Sequence, residues 1–136
     1  FARTPFAGAL PEDAVSAIEA MGDTLDLLDG GILENTDSHF HVVLKGILEG
    51  VVEDRVRAEY APGEAVGIEC WLYGTPASEE LRARGHVRVF RINGAALHEL
   101  LSEDSALKIR AYDYLLEVIF RRLADAATLV ERPDDI

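Results

Sequence analysis

Two histidines stand close together in "HFHVVLKGILE", His39 and His41. Alternate side chains of a β-strand share a face, so the pair could present two imidazole nitrogens to one metal ion. A complete site needs more ligands. Glu49 lies beyond the glycine turn at Gly46, and His86 and His98 come from later segments without ligand spacing around them. A second stretch, "AVGIECWLYGTPASEELRARGHVRVFRI" from Ala65 to Ile92, has the cadence of a phosphate-gripping loop between two strands. Phosphate is gripped bidentately by arginine. At the loop tip stand Ala77, Ser78, Glu79 and Glu80 instead. Arg82 and Arg84 follow on the outgoing strand and, with His86 and Arg88, form a basic stripe on one face, open to an anion or an acidic partner segment. Cys70 has no neighbouring His or second Cys and reads as a small buried hydrophobe. No Ser-His-Asp set, P-loop or helix with paired metal ligands is present, so the expectation is a protein that is not an enzyme.

The charge balance narrows the partners. Across 136 residues, 13 Lys and Arg face 25 Asp and Glu, a net charge of −12. A duplex of phosphates is repelled by such a chain, so no direct nucleic-acid partner is expected. Hydrophobic residues at 49% and charged residues at 28% fit one folded domain over residues 1–136. The single cysteine cannot form an internal disulfide and favours a reducing compartment, with the cytoplasm as the default. No apolar run approaches membrane-spanning length, and "FARTPFAGALPEDAV" lacks the apolar core of a secretion signal. The chain starts at Phe1, which fits either a piece of a longer protein or a trimmed one.

Three zones must position these residues. In residues 1–24, "LPEDAVSAIEAM" places Pro11 at a helix start with Glu12 and Asp13 in the first turn, and Val15, Ile18 and Met21 form its apolar stripe. Residues 25–92 read as all β, in short runs broken by turn signals at Gly46, Gly50, "EDR", "PGE" and "GTP". After Val89 the inward phase slips to Phe90 and Ile92, as a bulge or a strand end would cause. Residues 93–131 return to helix, with a break near "SED". Ile109, Tyr112, Leu116, Ile119, Leu123, Ala126 and Val130 step by three and four along the last helix and predict a homodimer seam. Leu107, Leu115, Val118 and Phe120 widen the apolar surface, so the same helix could also cover its own β layer. The fold class expected is α+β: an antiparallel, jelly-roll-like β-roll (a double-stranded β-helix), flanked by a short N-terminal helix and long C-terminal helices.

The order of parts, with "FAGALPEDAVSAIEAM", "HFHVVLKGILEGVV", "PGEAVG", "GHVRVFRI" and "NGAALHELLSED", resembles the cyclic-nucleotide-binding domain of the catabolite-activator and cAMP-dependent-kinase type. The resemblance covers nearly the whole chain. It implies a nucleotide cassette reading G-E-x-A-L-L, a short tip, then R-S-A or R-T-A. In that cassette glycine admits the ligand, glutamate accepts from the ribose hydroxyl, and arginine pairs with the cyclic phosphate. Aligned without gaps, Gly67 matches the glycine, Ile68 the glutamate, Leu72 the last leucine, Ala77 the arginine and Ser78 the serine. Shifting by one residue offers Glu69 to the sugar but still supplies no arginine. Glu79 adds a carboxylate beside the place of the phosphate, and Trp71, where relatives are small or aliphatic, is expected to fill part of the pocket.

The resemblance therefore implies a non-catalytic regulatory or interaction domain with a degenerate cassette and no bound cofactor. Arg82 or Arg84 would be the replacement cations if an anion binds. Two other readings stay open: a sensor of a different ligand such as a cyclic dinucleotide, and a small cupin-like metal-dependent enzyme using His39 and His41. Only about five residues follow Glu131, so an output module is expected elsewhere, as another protein or a covalently linked domain.

Overall fold

The structure, a computed structural model, describes residues 1–36 and 38–130, with side chains as far as residue 124. The chain opens with a single helical turn, α1 (Pro5–Gly8). Thr4 caps it by accepting the Ala7 amide, and Pro5 occupies the first helical position, where a missing N–H costs nothing. The sequence pattern did not announce α1. α2 (Glu12–Met21) follows Pro11 as anticipated and buries Ala14, Val15 and Ile18.

Six strands form one antiparallel sheet: β1 (Asp23–Leu27), β2 (Ile32–Leu33), β3 (His39–Val52), β4 (Arg55–Tyr60), β5 (Ala65–Val66) and β6 (Glu80–Asn93). Their order is β1-β6-β3-β4, with β2 on β6 and β5 on β3. α3 (Ile68–Tyr73) lies between β5 and β6, and α4 (Gly94–Ser102) and α5 (Ser105–Val130) close the chain. The fold is an α+β antiparallel roll with helices before and after it. Asp104 makes the break at "SED", its carboxylate accepting the Ala106 and Leu107 amides at the start of α5.

Three expectations are corrected. Residues 25–92 are not all β, because α3 sits inside them. The strands of that region are not all short: β3 and β6 run 14 residues each, and Gly46 and Gly50 lie within β3. Gly46, at φ +84°, is a bulge, and the register of β3 against β6 shifts on both sides of Lys45. The true reversal comes at Glu53 and Asp54, whose φ values of 53° and 62° make a tight hairpin into β4.

The third correction concerns Val89 and Phe90. Both are buried without a bulge, since β1 and β3 pair with this part of β6 in unbroken register. Val87 and Val89 face the inside of the roll with Leu33, Val43, Leu48 and Ala83. Phe90 and Ile92 face the helices with Phe6, Ile18, Phe40, Val42 and Leu97. A strand covered on both faces shows no alternation to read. Each fully buried Phe, Ile or Leu contributes about 1.5–3 kcal/mol, so packing on the sheet holds the helices more than their intrinsic propensity does.

A Cβ on Gly46 would meet the His86 carbonyl oxygen at 2.4 Å in a backbone conformation that L-residues avoid. Gly46→Ala is expected to cost at least about 2 kcal/mol, read as a lower midpoint in urea denaturation. An unchanged midpoint would show that the bulge is not required.

Candidate functional site

α3 runs between Gly67 and Gly74, both left-handed, and its two faces divide the cassette residues. Ile68 and Trp71 turn into the helical layer. Trp71 is 4% exposed; its Nε1 donates to the Gly94 carbonyl at 3.0 Å, and its ring stacks on His98 with centroids 4.1 Å apart and planes 11° apart. His98 bonds in turn to the Trp71 carbonyl at 3.0 Å and to the Tyr112 hydroxyl at 3.2 Å. Leu72 packs half-buried on the same layer.

On the other face a small cavity of about 40 Å³ remains between α3 and the loop that leads into β6. Gly67, Glu69, Cys70, Ala77, Ser78 and Glu79 line it, as the sequence pattern grouped them. Thr36, Tyr60 and Leu81 complete the lining and were not foreseen. Thr36 and Tyr60 come from parts of the chain far from the cassette in sequence, whereas Leu81 follows its tip by two residues. The expectation that Trp71 fills the pocket is corrected, because the helical layer takes up the indole.

Glu79 holds that space. Its carboxylate accepts a hydrogen bond from the Tyr60 hydroxyl and lies against Gly50, where a Cβ would stand 2.2 Å from Oε2. Only glycine at position 50 leaves room for it. Burial, and then the Glu79 carboxylate, push the Tyr60 hydroxyl above its ordinary range, so it stays a protonated donor. Beneath the Tyr60 ring lies the Arg122 guanidinium, 5.0 Å from the ring centre. Arg122 also donates to the Ala65 carbonyl at 2.6 Å and lies 3.6 Å from Glu64. Tyr60 thus joins the cassette loop, the roll and α5.

Arg82 and Arg84 do not supply the missing cation. They lie on the face of β6 opposite Leu81 and Ala83, which are buried in the roll. Arg82 pairs with Glu80, Arg84 with Glu59 at 3.0 Å, and His86 and Arg88 both with Asp26 at 3.0 Å. The basic stripe is a ladder in which Arg82, Arg84 and Arg88 form exposed ion pairs and His86 lies on Asp26, and exposed pairs of this kind hold weakly.

The His39 and His41 rings sit 6.1 Å apart. His39 Nδ1 lies 2.9 Å from Ser38 Oγ, whereas His41 is 1% exposed and its Nδ1 has no hydrogen-bond partner. Neither other histidine reaches them: His86 is on Asp26 and His98 on Trp71. Among the described residues no group of three His, Cys, Asp or Glu could hold a metal ion. The two-histidine site proposed from the strand pattern therefore lacks a third ligand.

On α5, Leu107, Ala111 and Leu115 are buried against the sheet layer. Ile109 and Leu123, each 61% exposed, and Phe120 at 68% face outward. Leu116 is half-buried, and Tyr112 and Ile119 lean partly on the chain's own core. The seam residues Ala126 and Val130 have side chains outside the described residues. No helix among the described residues is long and apolar enough to cross a membrane.

No protein-family model matches the chain, and no curated protein matches it in sequence. Solved structures do match. A candidate cyclic-nucleotide-binding protein of Geobacter metallireducens superimposes with TM-score 0.78 at 20% identity, over 88% of this chain and 92% of its own. The N-terminal domain of a transcriptional regulator from Streptomyces coelicolor gives 0.68 at 19%, over 98% and 96%. The regulatory subunit of a cAMP-independent protein kinase A from Trypanosoma brucei gives 0.67 at 16%, over 87% and 48%. The fold is that of the cyclic-nucleotide-binding domains. In this cyclic-nucleotide-binding-like domain, the two cassette places where the resemblance expects charge hold Ile68, fully buried in the helical layer, and Ala77, exposed at the tip.

His41 makes stability depend on pH. Burial is the largest cause that lowers its pKa from 6.5 to about 4, with the charges of His39 and Arg91 adding to it and Asp23 opposing. The unfolded chain takes the proton first, so stability is whole above pH 6.5 and lost as pH falls from 6.5 through 4, by roughly 3 kcal/mol in all. His41→Leu is expected to flatten chemical-denaturation stability across that window. An equally steep profile in the variant would rule His41 out as the source.

Proposed function

We propose that this chain is a non-catalytic regulatory domain of the cyclic-nucleotide-binding type, closed to cAMP and cGMP and dimeric through α5. The observation that carries the reading is Glu79, whose carboxylate lies between Tyr60 and Gly50 and leaves about 40 Å³. Ligand pockets for molecules of nucleotide size span about 300–1,000 Å³. A cyclic phosphate would have to evict Glu79 from its hydrogen bond, at about 1.5–3 kcal/mol, and would forgo a comparable amount from the absent arginine. A carboxylate left near the phosphate adds about 1–4 kcal/mol of repulsion. Together these terms move a micromolar site to millimolar or weaker. The Trypanosoma neighbour, a cAMP-independent regulatory subunit by name, shows that a structural neighbour of this chain need not depend on cAMP.

The outward stripe of Ile109, Leu116, Phe120 and Leu123 on α5 supports the dimer, because the sheet already buries the other face of that helix. A lone buried thiol, Cys70, fits a reducing compartment such as the cytoplasm. The signal passes to another protein or a linked output domain.

Calorimetric titration tests the cassette. The native chain is expected to give no heat of binding with cAMP, cGMP or a cyclic dinucleotide at micromolar concentrations. Glu79→Ala combined with Ala77→Arg is expected to improve cyclic-nucleotide affinity by at least about tenfold. Micromolar binding of cAMP or cGMP by the native chain overturns the closed-cassette reading. For the dimer, Leu116→Glu with Leu123→Glu is expected to halve the sedimenting mass; a native chain that already sediments as a monomer sinks the seam.

A further inference from the structure

Two open hollows lie side by side outside the cassette, and Pro5, Pro62 and Gly63 line both. Pro5 packs on Gly63 so closely that a Cβ there would sit 3.0 Å from Pro5 Cδ, which makes a low saddle between them. The larger hollow, about 690 Å³, offers the apolar Phe1 and Leu44, both half-buried, together with Arg3, Lys45 and Arg88. The smaller, about 380 Å³, offers Tyr114 and Val118 together with Arg121 and Arg122.

Their charge runs against that of the whole chain. Acidic side chains outnumber basic ones by 25 to 13 in the sequence. Five cations line the two hollows with two carboxylates, Glu19 and Glu64, and two more carboxylates, Asp26 and Glu117, reach the lining arginines from outside. Arg88 is held by Asp26, Arg121 by Glu117 and Arg122 by Glu64. Arg3 and Lys45 are exposed and have no carboxylate partner among the described residues. Arg88 and Arg121 are in exposed pairs, which hold weakly, so an incoming carboxylate can share them at little cost, whereas Arg122 stays on the Ala65 carbonyl and the Tyr60 ring.

We propose that the paired hollows are the docking site for an extended acidic segment of a partner protein. One apolar side chain of that segment seats in each hollow, and its carboxylates lie along Arg3, Lys45 and Arg88 on one side and Arg121 and Arg122 on the other. Three of the cations line one hollow and two the other, which suits a line of carboxylates better than a single small anion. The apolar linings call for apolar side chains, which an inorganic anion does not carry. Neither hollow is lined by a residue of the cassette cavity, although Arg122 in the smaller one touches the Tyr60 ring.

Fluorescence anisotropy tests it with a fluorescein-labelled peptide of alternating glutamate and leucine. The native chain is expected to bind this peptide saturably at low salt and to release most of it at about 1 M salt, where charges are screened within about 3 Å. Arg3→Glu with Lys45→Glu is expected to weaken binding by about tenfold or more with an unchanged circular dichroism spectrum. Arg55→Glu with Arg57→Glu, which reverses cations on β4 outside both hollows, is expected to leave it unchanged, as is Glu79→Ala. The proposal is overturned by no saturable binding, by equal binding in the Arg3/Lys45 variant, or by equal loss in the Arg55/Arg57 variant. Displacement of the peptide by inorganic pyrophosphate or by oligothymidylate also overturns it, in favour of a small anion or a nucleic acid.

Discussion

The pairing of β3 with β6 is the constraint on which the rest of the structure rests. These two long strands are hydrogen-bonded from His39–Asn93 to Val51–Glu80, and each serves two cores. One face closes the roll on Val43, Leu48, Val87 and Val89; the other carries Phe40, Val42, Phe90 and Ile92 beneath the helices. The bulge at Gly46 lets this long ribbon bend while keeping side chains on their proper faces. A one-residue slip would exchange the two cores, so the register is fixed by both at once.

The cassette depends on that frame for its contents. Glu79 leads directly into β6, and Gly50 and Tyr60 lie on β3 and β4, so strand pairing brings the three together. The Glu79 carboxylate sits in this loop with the Tyr60 hydroxyl as its donor. The same tyrosine ring rests on Arg122 from α5, and Trp71 on the far side of α3 is tied through His98 to Tyr112. Cassette and last helix are therefore joined by two sets of side chains that need no ligand.

Much of this was legible in the sequence wherever the signal was local. Pro11 with Glu12 and Asp13 marked α2, the "SED" break is made by Asp104, and the order of parts indicated the fold. Legibility ended where burial has two sides or where contacts span the chain. β3 and β6 were read as fragments because glycines inside a bent strand look like turns, and α3 was missed because six residues between two glycines carry too short a period to detect. Arg82 and Arg84 looked available, yet their partners Glu80, Glu59 and Glu49 come partly from a neighbouring strand that sequence spacing does not reveal.

By itself, the sequence determined which residues stand at the places where the resemblance expects charge. Ile68 and Ala77 stand where charged grips are expected, and no folding can give them an ionic group. It also set an apolar α5 wider than one neighbour needs. Tertiary structure alone decided that Trp71 turns away from the cavity and that Glu79 turns in. The direction of a side chain depends on what waits on either side of it. For Glu79 that is a glycine and a tyrosine hydroxyl delivered by distant strands, and for Trp71 it is the Gly94 carbonyl and the ring of His98.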